Sequence, residues 1–156
     1  MTYSEGSLGR VFVLRLEHGD CMPRTLEEFA KEKQVASGIA IMVGGIDDGS
    51  GVVVGPRDGN ALPVDPVLQH LVGAHEVAAV GVLVPDETGA PMVHMHAALG
   101  RAGHTVTGCI RPGVRTWRTA EVVLIEMVGI DAARLPDAET GFKMLQCFGG
   151  RGADEA

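Results

Sequence analysis

The chain has 156 residues, 46% of them hydrophobic but only 4% aromatic, and a formal net charge of -7. That length suits one domain with a sizeable aliphatic core, and the composition excludes a largely disordered chain. The acidic balance argues against a strong non-specific grip on nucleic acid, which relies on clustered Lys and Arg.

Twenty-two glycines and eight prolines favour short strands joined by tight turns. Cys21, Cys109 and Cys147 are odd in number and widely spaced, so no disulfide framework is expected and a reducing cytoplasm is the natural setting. The opening "MTYSEGSLGR" lacks the apolar stretch of a signal peptide. No apolar run reaches the ~18 residues needed to span a membrane.

In chain order, "RVFVLRLEHGD" alternates, with Val11, Val13 and the stem of Arg15 on one face and Phe12, Leu14 and Leu16 on the other. This predicts a strand with one buried face. "TLEEFAKEK" predicts a short helix with Leu26, Phe29 and Ala30 on one side, capped by Thr25 with Glu28 completing a capping box. "SGIAIMVGGI" reads as a strand buried on both faces, and "GVVVG" as a short strand after a turn. "PRDGNALPVDP" is a polar excursion. "VLQHLVGAHEVAAVGVLVP" holds two strands around Gly73–Ala74, and "DETGAP" turns into a hairpin. "AEVVLIEMVGI" is a long β-branched strand, "DAARLPDAETGF" is polar and irregular, and "KMLQCF" is a last strand. Residues 1–7 are an extension, 8–148 the domain, and 149–156 a disordered tail. Short strands with one helix predict an α+β, mainly antiparallel sheet protein.

The hairpin "PMVHMHAALGRAGHTVTGC" carries the chemistry. Side chains alternate faces, so His94, His96 and Ala98 point one way while the apolar Val93, Met95, Ala97 and Leu99 point to the core. Closing the hairpin over "GRAG" pairs Leu99 with His104, which sets His94 opposite Cys109 and His96 opposite Thr107. Opposed residues share a face, and neighbours there lie ~5–7 Å apart. His94, His96 and Cys109 therefore form a candidate divalent-metal site, zinc being the usual ion for such donors. A three-residue loop would send Cys109 to the other face. His104 sits at the turn, pointing away from the pair.

This hairpin resembles the signature of the plants and prokaryotes conserved (PPC) domain family, in which HxH, a Gly turn and a segment before Pro-Gly follow one another. "RVFVLRLEHGDCMPRTLEEFAKEKQVASGIAIMVGGI", "HEVAAVGVL" and "TAEVVLIEM" resemble the family's other elements, so the likeness covers roughly residues 8–148. The resemblance implies a curved antiparallel sheet, a homotrimer, and a fold related to acetolactate decarboxylase. It also implies a three-histidine zinc site whose first two ligands fall on His94 and His96. The third falls on Cys109, a departure that puts a thiolate where relatives carry an imidazole. A thiolate lowers the net charge at the ion and favours softer metals or redox sensitivity.

Prokaryotic members are described by similarity as DNA-binding or regulatory proteins. Here "IRPG" lacks the Arg-Gly-Arg-Pro of a minor-groove hook, and the only basic cluster is Arg111, Arg115 and Arg118. The alternative is a zinc-dependent lyase or hydrolase acting on a small carboxylate. It requires an acid or base near the ion. Glu76 is the first candidate, with Glu121 and Glu126 behind it, and Arg15 is the candidate carboxylate binder. A homotrimer without chemistry of its own is the third class.

Overall fold

Alternating apolar and polar residues over long stretches produce long strands, and tight Gly turns fold them back on their neighbours. The structure is a computed structural model describing residues 1–151. Its elements run β1 (Thr2–Tyr3), β2 (Ser7–Glu17), β3 (Cys21–Met22), α1 (Arg24–Glu32), β4 (Gly38–Ile46), β5 (Gly51–Pro56) and β6 (Pro66–His70). They continue with β7 (His75–Pro85), β8 (Pro91–Arg101), β9 (His104–Ile110), β10 (Val114–Val128), β11 (Ala132–Pro136), β12 (Lys143–Cys147) and β13 (Gly150–Arg151). The main sheet has the order β2-β10-β4-β7-β8-β9-β5-β6, antiparallel throughout, and β3 adds to β10. This is the α+β, open, curved antiparallel sheet expected from the sequence.

Register aligns side chains into rows that cross the sheet. One core row runs Leu16, Ala120, Gly44, Val77, Leu99, Val106. Helix α1 packs on this face. Its Leu26 and Ala30 are fully buried, and the Phe29 ring meets Phe12 edge-on at 5.3 Å. The Glu27 carboxylate accepts a 3.0 Å hydrogen bond from the Val93 N–H, tying the helix to β8. Burying a leucine such as Leu26 stabilises the packing by roughly 1.5–3 kcal/mol.

The helix does not start as the capping box predicts. Pro23 occupies the N-cap position and no side chain caps the helix. The Leu26 and Glu27 N–H groups donate to the Pro23 carbonyl instead, at 3.0 and 3.1 Å. Proline fixes φ and so presets the turn, leaving Thr25 inside the first turn.

The opposite face is open and largely aliphatic. One row crosses it as Val13, Val123, Ile41, Val80, His96, Cys109, Val53. Strand β4 is therefore not buried on both faces as its unbroken apolar run suggests. Val11 is 62% exposed, Val13 78%, Ile41 43%, Val43 50% and Val80 54%.

A second departure lies at 132–147. The segment expected to be irregular forms β11, which pairs with β12 from Ala132–Cys147 to Pro136–Lys143. Of the predicted disordered tail, the Gly150–Arg151 backbone pairs with Thr2–Tyr3, and the residues after it lie outside the described chain.

Candidate metal centre

The β8–β9 turn consists of Ala102 and Gly103, with φ of 50° and 82°. Both angles are left-handed, as a two-residue turn between right-twisted strands requires. Arg101 therefore faces His104, and Cys109 faces His96 rather than His94, while Thr107 faces Ala98. The expected pairing of Leu99 with His104 is off by two positions, because Gly100 and Arg101 belong to the strand and not to the turn. A slip of two preserves the face of every side chain, so His94, His96 and Cys109 still share the open face.

The three residues offer donor atoms that all lie within 4.8 Å of one another. The two imidazoles meet edge-on, centroids 5.0 Å apart at 85°. Tetrahedral zinc with ordinary Zn–N and Zn–S bonds sets donor separations of roughly 3.3–3.6 Å. Side-chain rotation of about an ångström closes the difference, so the donor set fits a divalent ion. His96 is exposed, whereas Cys109 is only 4% exposed although it lies outside the core cluster.

Electrostatics favour donors over cations at this spot. Desolvation pushes His94 down to about 4, aided by the charges of Arg134, His96 and Arg111. The ring is thus neutral near pH 7, the form that ligates metal. Burial raises the Cys109 thiol, and Arg111 and Arg134 pull it back. The thiol rests as a weak donor 3.7 Å from the Ile110 carbonyl. Metal binding here would release its proton.

Arg134 is a residue that the sequence did not single out. It sits on β11, 6% exposed, and its charge bears on both His94 and Cys109. Arg111 follows β9 and stacks over the Phe142 ring at 5.6 Å. The supposed basic cluster is therefore divided. Arg115 donates to the Asp48 carbonyl at 3.4 Å, and Arg118 lies against Trp117.

The remaining candidates lie elsewhere in this chain. Glu76 shares the open face but stands opposite Gly100, four residues along the sheet from His96, about 13 Å away. It lines a shallow cleft of ≈ 610 Å³ with His75, Arg101, His104 and Trp117. Arg15 lies on edge strand β2, opposite Glu121 and 3.4 Å from Glu17. Four strand spacings, about 19 Å, separate β2 from β8. Glu126 is engaged by Arg10 at 2.6 Å, which holds its carboxyl down to about 2.

An antiparallel sheet with one helix on its core face and a His-His-Cys cluster on its open face defines an α+β domain with a candidate metal centre. The Plants and Prokaryotes Conserved (PCC) domain matches residues 3–128, and the chain belongs to that family. Among curated proteins, the Bifunctional protein GlmU of Synechococcus sp. strain JA-3-3Ab is 33% identical over 90% of this chain. A second Synechococcus GlmU is 29% identical over 90% of it. The chain spans about a fifth of these relatives' length, 21% and 20%. Three crystal structures share the fold. A metal-containing protein from Archaeoglobus fulgidus superposes with TM-score 0.80 at 22% identity, covering 94% of this chain and 99% of the other. A plant- and prokaryote-conserved protein from Pyrococcus horikoshii gives 0.76 at 21%, covering 94% and 99%. A protein from Ralstonia eutropha, provisionally named as DNA-binding, gives 0.69 at 17%, covering 87% and 90%.

Proposed function

We propose that this chain is a divalent-metal-binding PPC-type domain that works as a homotrimer, with His94, His96 and Cys109 holding the ion and zinc as the favoured metal. The observation that carries this reading is the convergence of three soft and borderline donor atoms within 4.8 Å on one sheet face. The Archaeoglobus fulgidus neighbour, named as metal-containing, supports it. A bound divalent ion would supply Lewis acidity at a partly open coordination position. His94 contributes a neutral donor, and Cys109 as thiolate reduces the net charge that a third imidazole would leave.

The open aliphatic face supports self-association. Exposed Val11, Val13, Ile41, Val43 and Val80 form one continuous apolar surface, larger in kind than the scattered apolar residues of monomers. A reducing cytoplasm is the proposed setting, on the odd number and wide spacing of the cysteines in the sequence. DNA binding, the function in the name of the Ralstonia neighbour, finds less support here. The net charge is -7, and α1 places Glu27, Glu28 and Glu32 among its basic residues. The lyase or hydrolase alternative shares the same centre, but Glu76 and Arg15 are far from it within one chain.

Metal analysis of untagged protein tests the reading. The wild type is expected to carry close to one ion per chain, and His94→Ala and Cys109→Ser to lose most of it. Equal, sub-stoichiometric metal in all three would reject the centre. A salt-sensitive DNA mobility shift that survives in both variants would instead favour the nucleic-acid reading.

A further inference from the structure

Burying a guanidinium without a partner is unfavourable, because its hydration is lost and nothing replaces it. The Nε of Arg134 is in that position. It is 6% exposed, and its Nε is a buried donor with no hydrogen-bond partner. The nearby acids are engaged elsewhere. Asp86, whose backbone bridges to Arg134, accepts from Thr88 Oγ1 at 2.6 Å and from Lys143 at 3.0 Å. Glu87 pairs with the same Lys143 at 2.9 Å. Among the described residues neither Arg134 nor Arg111 forms a salt bridge. Arg134 is bridged to Asp86, which directly follows β7, the strand whose Val82 stands opposite His94, and Arg111 comes two residues after Cys109; the charges of both bear on His94 and Cys109.

We infer that Arg134, together with Arg111, is an anion-binding residue that seats a small oxoanion against the His94, His96, Cys109 centre. The inference rests on the metal-centre reading above and adds the chemical class of the ligand. A divalent ion less one thiolate keeps one positive charge, and the two guanidiniums add two more. That charge balance is matched to a compact anion rather than to a neutral molecule. The planar fork of Arg134 suits a carboxylate or a phosphate group, both of which accept two parallel N–H bonds. Burial strengthens that recognition, since the pair forms away from bulk water. Arg134 thereby takes the role that the sequence assigned to Arg15.

The test uses the full chain loaded with Co²⁺, whose thiolate charge-transfer absorption reports the metal independently of any anion. Wild type, Arg134→Met, Arg134→Lys and Arg111→Ala are titrated with oxalate, acetate and inorganic phosphate by calorimetry and absorption. The expected result is full metal loading in all four proteins. Anion affinity should fall roughly tenfold or more in Arg134→Met, the scale for losing a charge-assisted pair, and less in Arg134→Lys. Oxalate and acetate against phosphate distinguish a carboxylate from a phosphate ligand. Full loading with equal anion affinity in wild type and Arg134→Met overturns the inference, as does a loaded wild type that binds none of the three. Absence of cobalt absorption in the wild type overturns the metal centre itself, before any anion is added. Arg134→Lys keeps the charge and guards against a methionine variant that misfolds.

Discussion

Gly108→Ala is a small change that tests how tightly the centre is built. Gly108 precedes Cys109 on β9, and a Cβ there would lie 2.6 Å from the Val53 carbonyl oxygen and 3.2 Å from the Val52 Cβ, both on β5. Ordinary contact begins near 3.4 Å, so β5 and β9 must separate by about 0.8 Å, at an overpacking cost of about 1–3 kcal/mol. The strain falls on the residue pair Val53–Cys109, and because β9 lies between β5 and β8 it displaces the sulfur from its present place relative to the two imidazoles. Gly100→Ala is the matched control on the other strand of the hairpin, because its Cβ would meet only Thr105 Oγ1 at 3.9 Å. Relief of unfolded-chain entropy makes that variant neutral or about 0.4–1 kcal/mol more stable. Urea denaturation gives the stabilities, and metal titration of each protein gives the affinities. Gly108→Ala should lose both stability and metal affinity, and Gly100→Ala neither. If Gly108→Ala binds metal as tightly as wild type, Cys109 is not held in place by the β5–β9 contact and the geometric argument fails.

Three further outcomes follow from the same structure. Leu99 is fully buried on the core face of the ligand-bearing strand; Leu99→Ala should cost about 3 kcal/mol in urea denaturation, and a cost below 1 would mean that β8 is not anchored there. Glu126 is depressed from 4.5 to about 2, first by its hydrogen bond from the Arg10 side chain. Its contribution is therefore complete above pH 4.5 and is lost as pH falls toward 2, so the stability gap between wild type and Glu126→Gln should narrow across that window, read by acid titration of circular dichroism. Cys109 is buried with a raised thiol, while Cys21 and Cys147 are half-exposed. Iodoacetamide at pH 7.5 should label Cys21 and Cys147 well before Cys109 in metal-free protein, as followed by peptide mass spectrometry.

The open face of the hairpin was legible in the sequence because face is a matter of parity. His94, His96 and Cys109 keep their side under any even slip, and the actual turn differs by two. The turn length itself was not legible, since "GRAG" offers two glycines, and only the left-handed angles at Ala102 and Gly103 show which residues bend. Arg134 escaped for a different reason. "AARLP" is too short to show a period, and its strand partner lies beyond the polar stretch Asp137–Phe142. What brings the charge of Arg134 to bear on His94 is the seating of β11 beside the end of β7, marked by the parallel Asp86–Arg134 bridge, a long-range contact that local patterning does not encode. Arg15 drew attention because its strand was easy to read, and the sheet order then put it four strands away.

One row of side chains joins the two halves of the proposed function. Val13, Val123, Ile41 and Val80 lead directly into His96 and Cys109, so the aliphatic face and the metal centre are one surface. A second copy seated on Val80 would also cover the exposed edge of His96 and exclude water from the ion. Assembly and metal binding must then be thermodynamically linked, each favouring the other by the same factor. Val13→Glu places a charge on a residue 78% exposed in the single chain, far from the donors, and should leave a folded monomer in sedimentation. If the linkage holds, that monomer binds zinc more weakly than the assembled wild type, and zinc shifts wild-type assembly to lower protein concentration. Equal zinc affinity in monomer and assembly would separate the two functions and place the copies' contact away from His96.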